Sequence, residues 1–320
     1  MKPFHVAAGL LAPLSVASLF VGASPLSIAD ALTFRADSHA LLVLFESRLP
    51  RTLALILAGV GLAVAGLIMQ ILVSNRFVEP STAGTVESAS LGMLLTALLA
   101  PGAPVPAKMA ASALCALAGT LTFLRLLKAA PLRSPLTPPL VGLMLGGVVG
   151  SATAFLAYRF DMLQSLTAWT TGDFSVVLRG RYELLWLALG LTVAAYAMAD
   201  RLTVAGLGED VAANLGLNHA QVTAIGLAIV AMITAATVST VGAIPFLGLI
   251  VPNLVSMAMG DNLRRTLPFV AAFGAVFTLA CDVAGRLLAY PFEIPIGVVA
   301  GALGSGLFLA LLLRRRARSA

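Results

Sequence analysis

Residues 52–73 read TLALILAGVGLAVAGLIMQILV, a run with no charged side chain. A helix rises about 1.5 Å per residue and the hydrocarbon core of a bilayer is about 30 Å thick, so roughly 20 apolar residues cross it. This run is long enough for a transmembrane helix, and the rest of the chain repeats its character. Over 320 residues the hydrophobic fraction is 59% and the charged fraction 11%, a balance that leaves too little polar surface for a soluble globule.

Upstream of that span, residues 24–51 mix in Asp30, Arg35, Asp37, His39, Glu46 and Arg48, so this stretch leaves the hydrocarbon. The apolar run before it, residues 4–23, follows a single lysine and has no convincing small-x-small cleavage site ahead of a soluble domain, and is expected to form a retained first helix. Downstream, Asn75-Arg76-Phe77-Val78-Glu79-Pro80 is a polar turn whose proline suits the opening of a third span, expected to run through Gly84 and Leu91 to Ala100. Further spans are expected over 107–127, 140–157, 182–199, 220–241, 243–259, 267–288 and 294–313, which brings the total to about ten. Residues 159–181 are less apolar and suit a short interfacial helix and loop. The fold expected is an all-α integral membrane protein, with residues 1–320 forming one transmembrane domain.

The formal net charge of +6 comes from short basic clusters between apolar runs, among them Arg314, Arg315, Arg316 and Arg318 after the last span. That distribution sets topology and does not describe a nucleic-acid surface. With both termini in the cytoplasm, the inner connectors carry most of the lysines and arginines, as expected of a multi-pass protein of the bacterial inner membrane. Cys115 and Cys281 lie inside apolar segments and form neither a disulfide framework nor a CxxC pair.

Catalytic and nucleotide-binding motifs are lacking. His5, His39 and His219 are scattered, no HExxH or GxSxG occurs, and none of the three lysines follows a glycine-rich phosphate loop. No metal or cofactor is expected in this chain, and any ATP would be bound by another. Glu87 and Asp282 fall at membrane depth, where an ionisable group is costly and by default a functional candidate. Asp282 lies four residues before Arg286, the spacing of an ion pair on one helix face. Gly142, Gly146 and Gly150 recur every four residues, as do Gly297 and Gly301, a pattern for close helix packing. Residues 207–217, LGEDVAANLGL, read as a short glycine-bracketed helix outside the membrane.

Three ordered blocks carry a resemblance: Gly242-Ala-Ile-Pro-Phe-Leu-Gly-Leu-Ile-Val-Pro252-Asn253, Asp282-Val-Ala-Gly-Arg286 and Glu293-Ile-Pro-Ile-Gly297. Together with Arg48-Leu-Pro-Arg51, the stretch from Gly66 to Gln70, and Asn75 with Pro80, they resemble the permeases of iron-siderophore and cobalamin ABC importers. The likeness covers residues 46–313. It implies the type II ABC importer permease fold, with ten helices per subunit and two permease subunits, alike or different, around a central path. It further implies two cytoplasmic ATPases that hold ATP and Mg, and a periplasmic or lipoprotein substrate-binding protein docking outside.

Carried over by position, Leu207, Gly208, Glu209, Asp210, Ala213, Leu215 and Gly216 resemble the loop that couples to the ATPase. Arg48, Arg51 and Arg286 resemble the outward arginines that pair with the binding protein. Glu87, Pro135, Thr137 and Asn253 are candidates for the path or its gate. Asn253 stands where many members have histidine, and the turn after Asn75 reads Arg-Phe-Val-Glu-Pro in place of Pro-Leu-Ala-x-Pro. With Glu87, these departures resemble a subgroup serving catechol-type ferric siderophores. Haem or cobalamin is an alternative cargo, and a proton-coupled secondary transporter using Glu87 or Asp282 is an alternative mechanism. An intramembrane enzyme would need a nucleophile or metal cluster gathered from distant helices.

Overall fold

A computed structural model describes residues 2–22, 38–130, 134, 136–260 and 262–319. Among these residues the chain is helical, and extended pairing is confined to the single bridge between Thr171 and Ala243. The first helix, α1 (Lys2–Phe20), is followed by α2 (Ser38–Val43), which passes through one π-helical turn, Leu44–Arg48, into α3 (Leu49–Leu72). After a connector and a 3-10 turn, Pro80–Ala83, come α4 (Thr85–Leu99), α5 (Val105–Ala129) and α6 (Thr137–Arg159). The short α7 (Leu163–Thr170) precedes α8 (Leu185–Ala197) and α9 (Ala199–Ala205). The chain closes with α10 (Glu209–Asn214), α11 (His219–Val241), α12 (Leu247–Met259), α13 (Leu263–Leu288) and α14 (Ile296–Ser319).

Five of these segments are long and apolar enough to cross a membrane, and α8 with α9 makes a sixth, bent by 69°. Shorter apolar stretches in α1, α4, α12 and α14 accompany them, so the ten spans expected from sequence each have a helical counterpart among the described residues. Three boundaries differ from expectation. Pro80 opens a 3-10 turn, not the third span itself, because Gly84 adopts a left-handed conformation (φ 75°) and breaks the helix before Thr85. The helix expected from residue 243 starts at Leu247, after Phe246 has also turned left-handed at φ 64°. The sixth span bends between α8 and α9.

α3 is the axis of the bundle, with nearly every side chain from Ala54 to Gln70 buried. Hydrophobic burial does not drive helices together in lipid, so close contact has to come from small residues. At Gly59 the backbone of α13 is so near that an added Cβ would lie 2.6 Å from the Gly274 carbonyl oxygen. At Gly66 it would lie 2.1 Å from the Gly248 carbonyl oxygen on α12. The Thr278 hydroxyl of α13 reinforces the first crossing by donating to the Leu55 carbonyl at 2.9 Å.

These crossings make a prediction. Gly66→Ala forces α3 and α12 apart and should cost about 1–3 kcal/mol, the range for overpacking, read as a lower melting temperature of the purified protein in detergent. Gly102→Ala, where a Cβ meets nothing within 4 Å, should leave the melting temperature unchanged. Equal melting of the two variants would contradict the close crossing.

Candidate functional site

Several of the polar residues singled out above gather at two places, one near each end of α3. At the N-terminal end of α3, Asp282 on α13 joins two arginines. Arg51 Nη2 donates to Asp282 Oδ1 at 2.7 Å, and Arg286 Nε donates to Oδ2 at 2.8 Å, with Arg286 Nη2 also on Oδ2. The ion pair expected from the four-residue spacing is present, and Arg51 extends it to Glu293 at 2.7 Å.

The same cluster terminates α1. A helix end leaves carbonyls without intrahelical donors, and these are satisfied by side chains, ligands or water. Arg286 Nη1 donates to the carbonyls of Ser18 and Val21 at 2.9 and 2.7 Å, and Arg48 Nη1 donates to those of Leu19 and Phe20 at 2.8 and 3.2 Å. A cationic side chain is well placed there, facing the negative end of the helix dipole. Ser18 completes the cluster through its hydroxyl, bonded to Thr52 at 2.9 Å.

Arg48, Arg51 and Arg286, expected to face outward to a binding protein, are therefore largely enclosed, with Arg286 only 4% exposed. Their guanidinium groups tie α1, α3 and α13 together. Sequence could not reveal this use, because α1 is more than 200 residues away from Arg286 in the chain.

The second gathering surrounds α12, whose N-terminus opens inside the bundle, at the level where Gly248 meets Gly66 of α3. Glu79, fully enclosed on the connector, reaches this helix end. Its Oε1 accepts from the Phe246 N–H at 3.0 Å and from the Ser81 hydroxyl at 2.6 Å, and the amides of Gly248 and Leu249 also point at the carboxylate. Further along α12, Pro252 has no N–H to offer the Gly248 carbonyl four residues back. Gln70 of α3 fills that gap, donating from Nε2 at 3.2 Å. Asn253 donates to the carbonyls of Arg76 and Leu249 at 2.8 and 2.7 Å. Glu79 was not among the sequence candidates; the signal available was an acidic residue directly before Pro80 in a turn between two spans.

The remaining candidates are dispersed. Glu87 lies in the first turn of α4, against Gly146 and Gly150 of α6, and its buried Oε2 has no hydrogen-bond partner among the described residues. The glycine stripe on α6 thus packs against Glu87 and, at Gly142, against the Thr82 carbonyl. Thr137 starts α6, half-buried, whereas Pro135 lies outside the described residues. Residues 207–217 contain α10, set between two glycines of positive φ, Gly208 and Gly216, with Leu207, Val211 and Leu215 exposed.

The model of the FecCD transport family matches residues 10–314. Over 308 residues, 96% of this chain and 97% of the relative, the sequence is 46% identical to the petrobactin import system permease protein YclN of Bacillus subtilis (strain 168). It is 42% identical over 301 residues to the ferric-anguibactin transport system permease protein FatD of Vibrio anguillarum, covering 94% of this chain and 95% of the relative. A solved structure of a metal-chelate type ABC transporter in an inward-facing conformation matches with a TM-score of 0.81 at 27% identity, over 98% of this chain and 99% of the other.

The ion cluster yields a prediction. Asp282→Asn removes the anion shared by Arg51 and Arg286 and leaves buried positive charge uncompensated, a change expected to cost about 3–5 kcal/mol. Thermal unfolding in detergent should show a large loss of stability. An unchanged melting temperature would show that the cluster does not hold α1 to the bundle.

Proposed function

Because the chain belongs to the FecCD transport family, we propose that it is the membrane-spanning permease subunit of an ABC importer that carries a ferric siderophore, of the catechol type, across the bacterial inner membrane. The observation that carries this reading is 46% identity, along almost the whole chain, with a petrobactin import permease. The match to a metal-chelate type ABC transporter at a TM-score of 0.81 supports it independently.

In this reading two permease subunits, the same or different chains, enclose the path. ATP and Mg are held by two partner ATPases on the cytoplasmic side, and both termini face the cytoplasm. The exposed apolar residues in and beside α10 suit an ATPase groove: Val211 on the helix is 40% exposed, and Leu207 and Leu215, just before and just after it, are 62% and 65% exposed. A substrate-binding protein docks at the opposite end, over the Arg51 and Glu293 edge of the ion cluster. Arg48 and Arg286 hold that surface from beneath. The path runs along the glycine-bearing α6 and α14, with Glu87, Pro135, Thr137 and Asn253 as gate candidates. The outer faces of the helices, with exposed residues such as Leu114 and Val193, meet lipid.

Proton coupling has one point of support, the unpartnered oxygen of Glu87. Asp282 offers none, since two arginines already share it.

Uptake of radiolabelled iron, offered as catechol and hydroxamate siderophores, haem iron and labelled cobalamin, tests the reading in cells with and without the partner ATPase. Uptake of a catechol chelate that requires both proteins is expected. Uptake of only haem or cobalamin would reassign the cargo, and chelate uptake independent of the ATPase would overturn the importer reading. Leu215→Asp, which puts charge on the exposed residue that caps the C-terminal end of α10, should strongly reduce co-purification of the ATPase; undiminished co-purification would move the contact elsewhere.

A further inference from the structure

The connector that carries Glu79 touches more than α12. At its start, the Ser74 hydroxyl donates to the Gly206 carbonyl at 3.0 Å, directly before the α10 segment. Gly206 is itself pressed against α3, where an added Cβ would lie 2.5 Å from Ile71 Cγ2. In its middle, the Arg76 carbonyl is held by Asn253 of α12. Its far end is closed by Glu79, whose own N–H donates to Thr82 Oγ1 at 2.9 Å while its carboxylate caps α12.

Beyond Glu79 the contacts divide. The 3-10 turn meets α6, where Gly142 lies so close that a Cβ would come within 1.9 Å of the Thr82 carbonyl. Phe246, fixed by Glu79, packs its ring on Phe308 of α14 with centroids 6.5 Å apart, and Phe77 of the connector packs on the same ring at 5.8 Å. Gly304 of α14 lies beneath Phe246, with only 2.5 Å between an added Cβ and Phe246 Cβ. The segment 74–83 therefore joins the cytoplasmic coupling segment to α6 on one branch and to α14 on the other, the two helices assigned to the path.

We propose that residues 74–83 act as a rigid arm that carries movement of the coupling segment to α6 and α14, with Glu79 as the positioning residue that locks the arm to α12. Physical continuity alone does not establish coupling; it requires an element whose arrangement both sites bias. The arm is a run of turns closed by the 3-10 turn Pro80–Ala83 and is tied to its surroundings at three points, the Ser74 hydroxyl on the Gly206 carbonyl, Asn253 on the Arg76 carbonyl and the Phe246 N–H on Glu79, so the positions of Gly206 and of α12 both bear on it. Loss of the Glu79 clasp would let α10 move without carrying the path helices, so ATP would be hydrolysed without delivery of chelate.

The proposal rests on the importer reading, and its test separates the two. The complete transporter, permease with ATPase and binding protein, is reconstituted in proteoliposomes, and delivery of ferric catechol siderophore is measured alongside ATP hydrolysis. Glu79→Gln keeps the size of the side chain but replaces one accepting oxygen with a donor that faces backbone N–H groups. It is expected to leave hydrolysis near the wild-type rate while chelate delivered per ATP falls roughly tenfold, the scale of a lost charge-assisted hydrogen bond. Ser74→Ala, an exposed change compatible with folding, should lower the ratio by a smaller factor, and it decides the matter if Glu79→Gln does not assemble. A delivery-to-ATP ratio equal to wild type in the variants that assemble, or delivery and hydrolysis falling in parallel, overturns the arm. A wild-type transporter without ATP-driven delivery overturns the importer reading itself.

Discussion

A helix that begins inside an apolar bundle exposes N–H groups where no water can satisfy them, and α12 is such a helix. The Glu79 carboxylate meets that demand by accepting from Phe246 across 167 residues of sequence. Once it is in place, other features become necessary. Gly66 and Gly248 must be glycines so that α3 and α12 can touch, Gln70 must serve the carbonyl orphaned by Pro252, and the connector must bend back into the bundle to deliver Glu79. Backbone polar groups at membrane depth have to be satisfied within the protein, and each of these residues answers that requirement.

The other end of α3 meets the same requirement with opposite charge. There the exposed groups are the terminal carbonyls of α1, and arginines supply the donors. Burying three guanidinium groups is costly unless they are paired, and Asp282 and Glu293 supply anions to Arg51 and Arg286. The two ends of α3 are thus rigid for electrostatic reasons, while its middle is rigid because glycine lets backbones meet. α6 and α14 are close-packed on one side only: Gly142 and Gly304 press against the Thr82 carbonyl and Phe246, whereas Gly147 and Gly306 have no neighbour within 4 Å of an added Cβ.

Much of this was legible in the sequence, and the pattern of what was not is instructive. The spans were readable because length and hydrophobicity dominate helix formation in a bilayer. The short helix at Glu209–Asn214 was readable from its flanking glycines, both of which adopt positive φ. The pair of Asp282 and Arg286 was readable from i,i+4 spacing, a local geometry. What escaped depended on contacts between distant parts of the chain. Arg48 and Arg286 look like surface charges until α1 is seen to end against them. Glu79 looks like a solvated turn residue until Phe246, far along the chain, is found with its N–H aimed at it. The breaks at Gly84 and Phe246 escaped for a related reason: hydropathy reports that a segment is apolar, not that its helix starts halfway through the bundle.

In the proposed importer, ATP hydrolysed by a partner chain, and not an ion gradient, drives chelate through this permease. This is tested most directly in proteoliposomes that hold permease, ATPase and binding protein, with ionophores added to collapse every proton and sodium gradient, by following accumulation of a labelled ferric siderophore. Accumulation that depends on ATP, survives the ionophores and vanishes when the ATPase is omitted is the expected result. Accumulation by the permease alone that a proton gradient drives and an ionophore abolishes would contradict it.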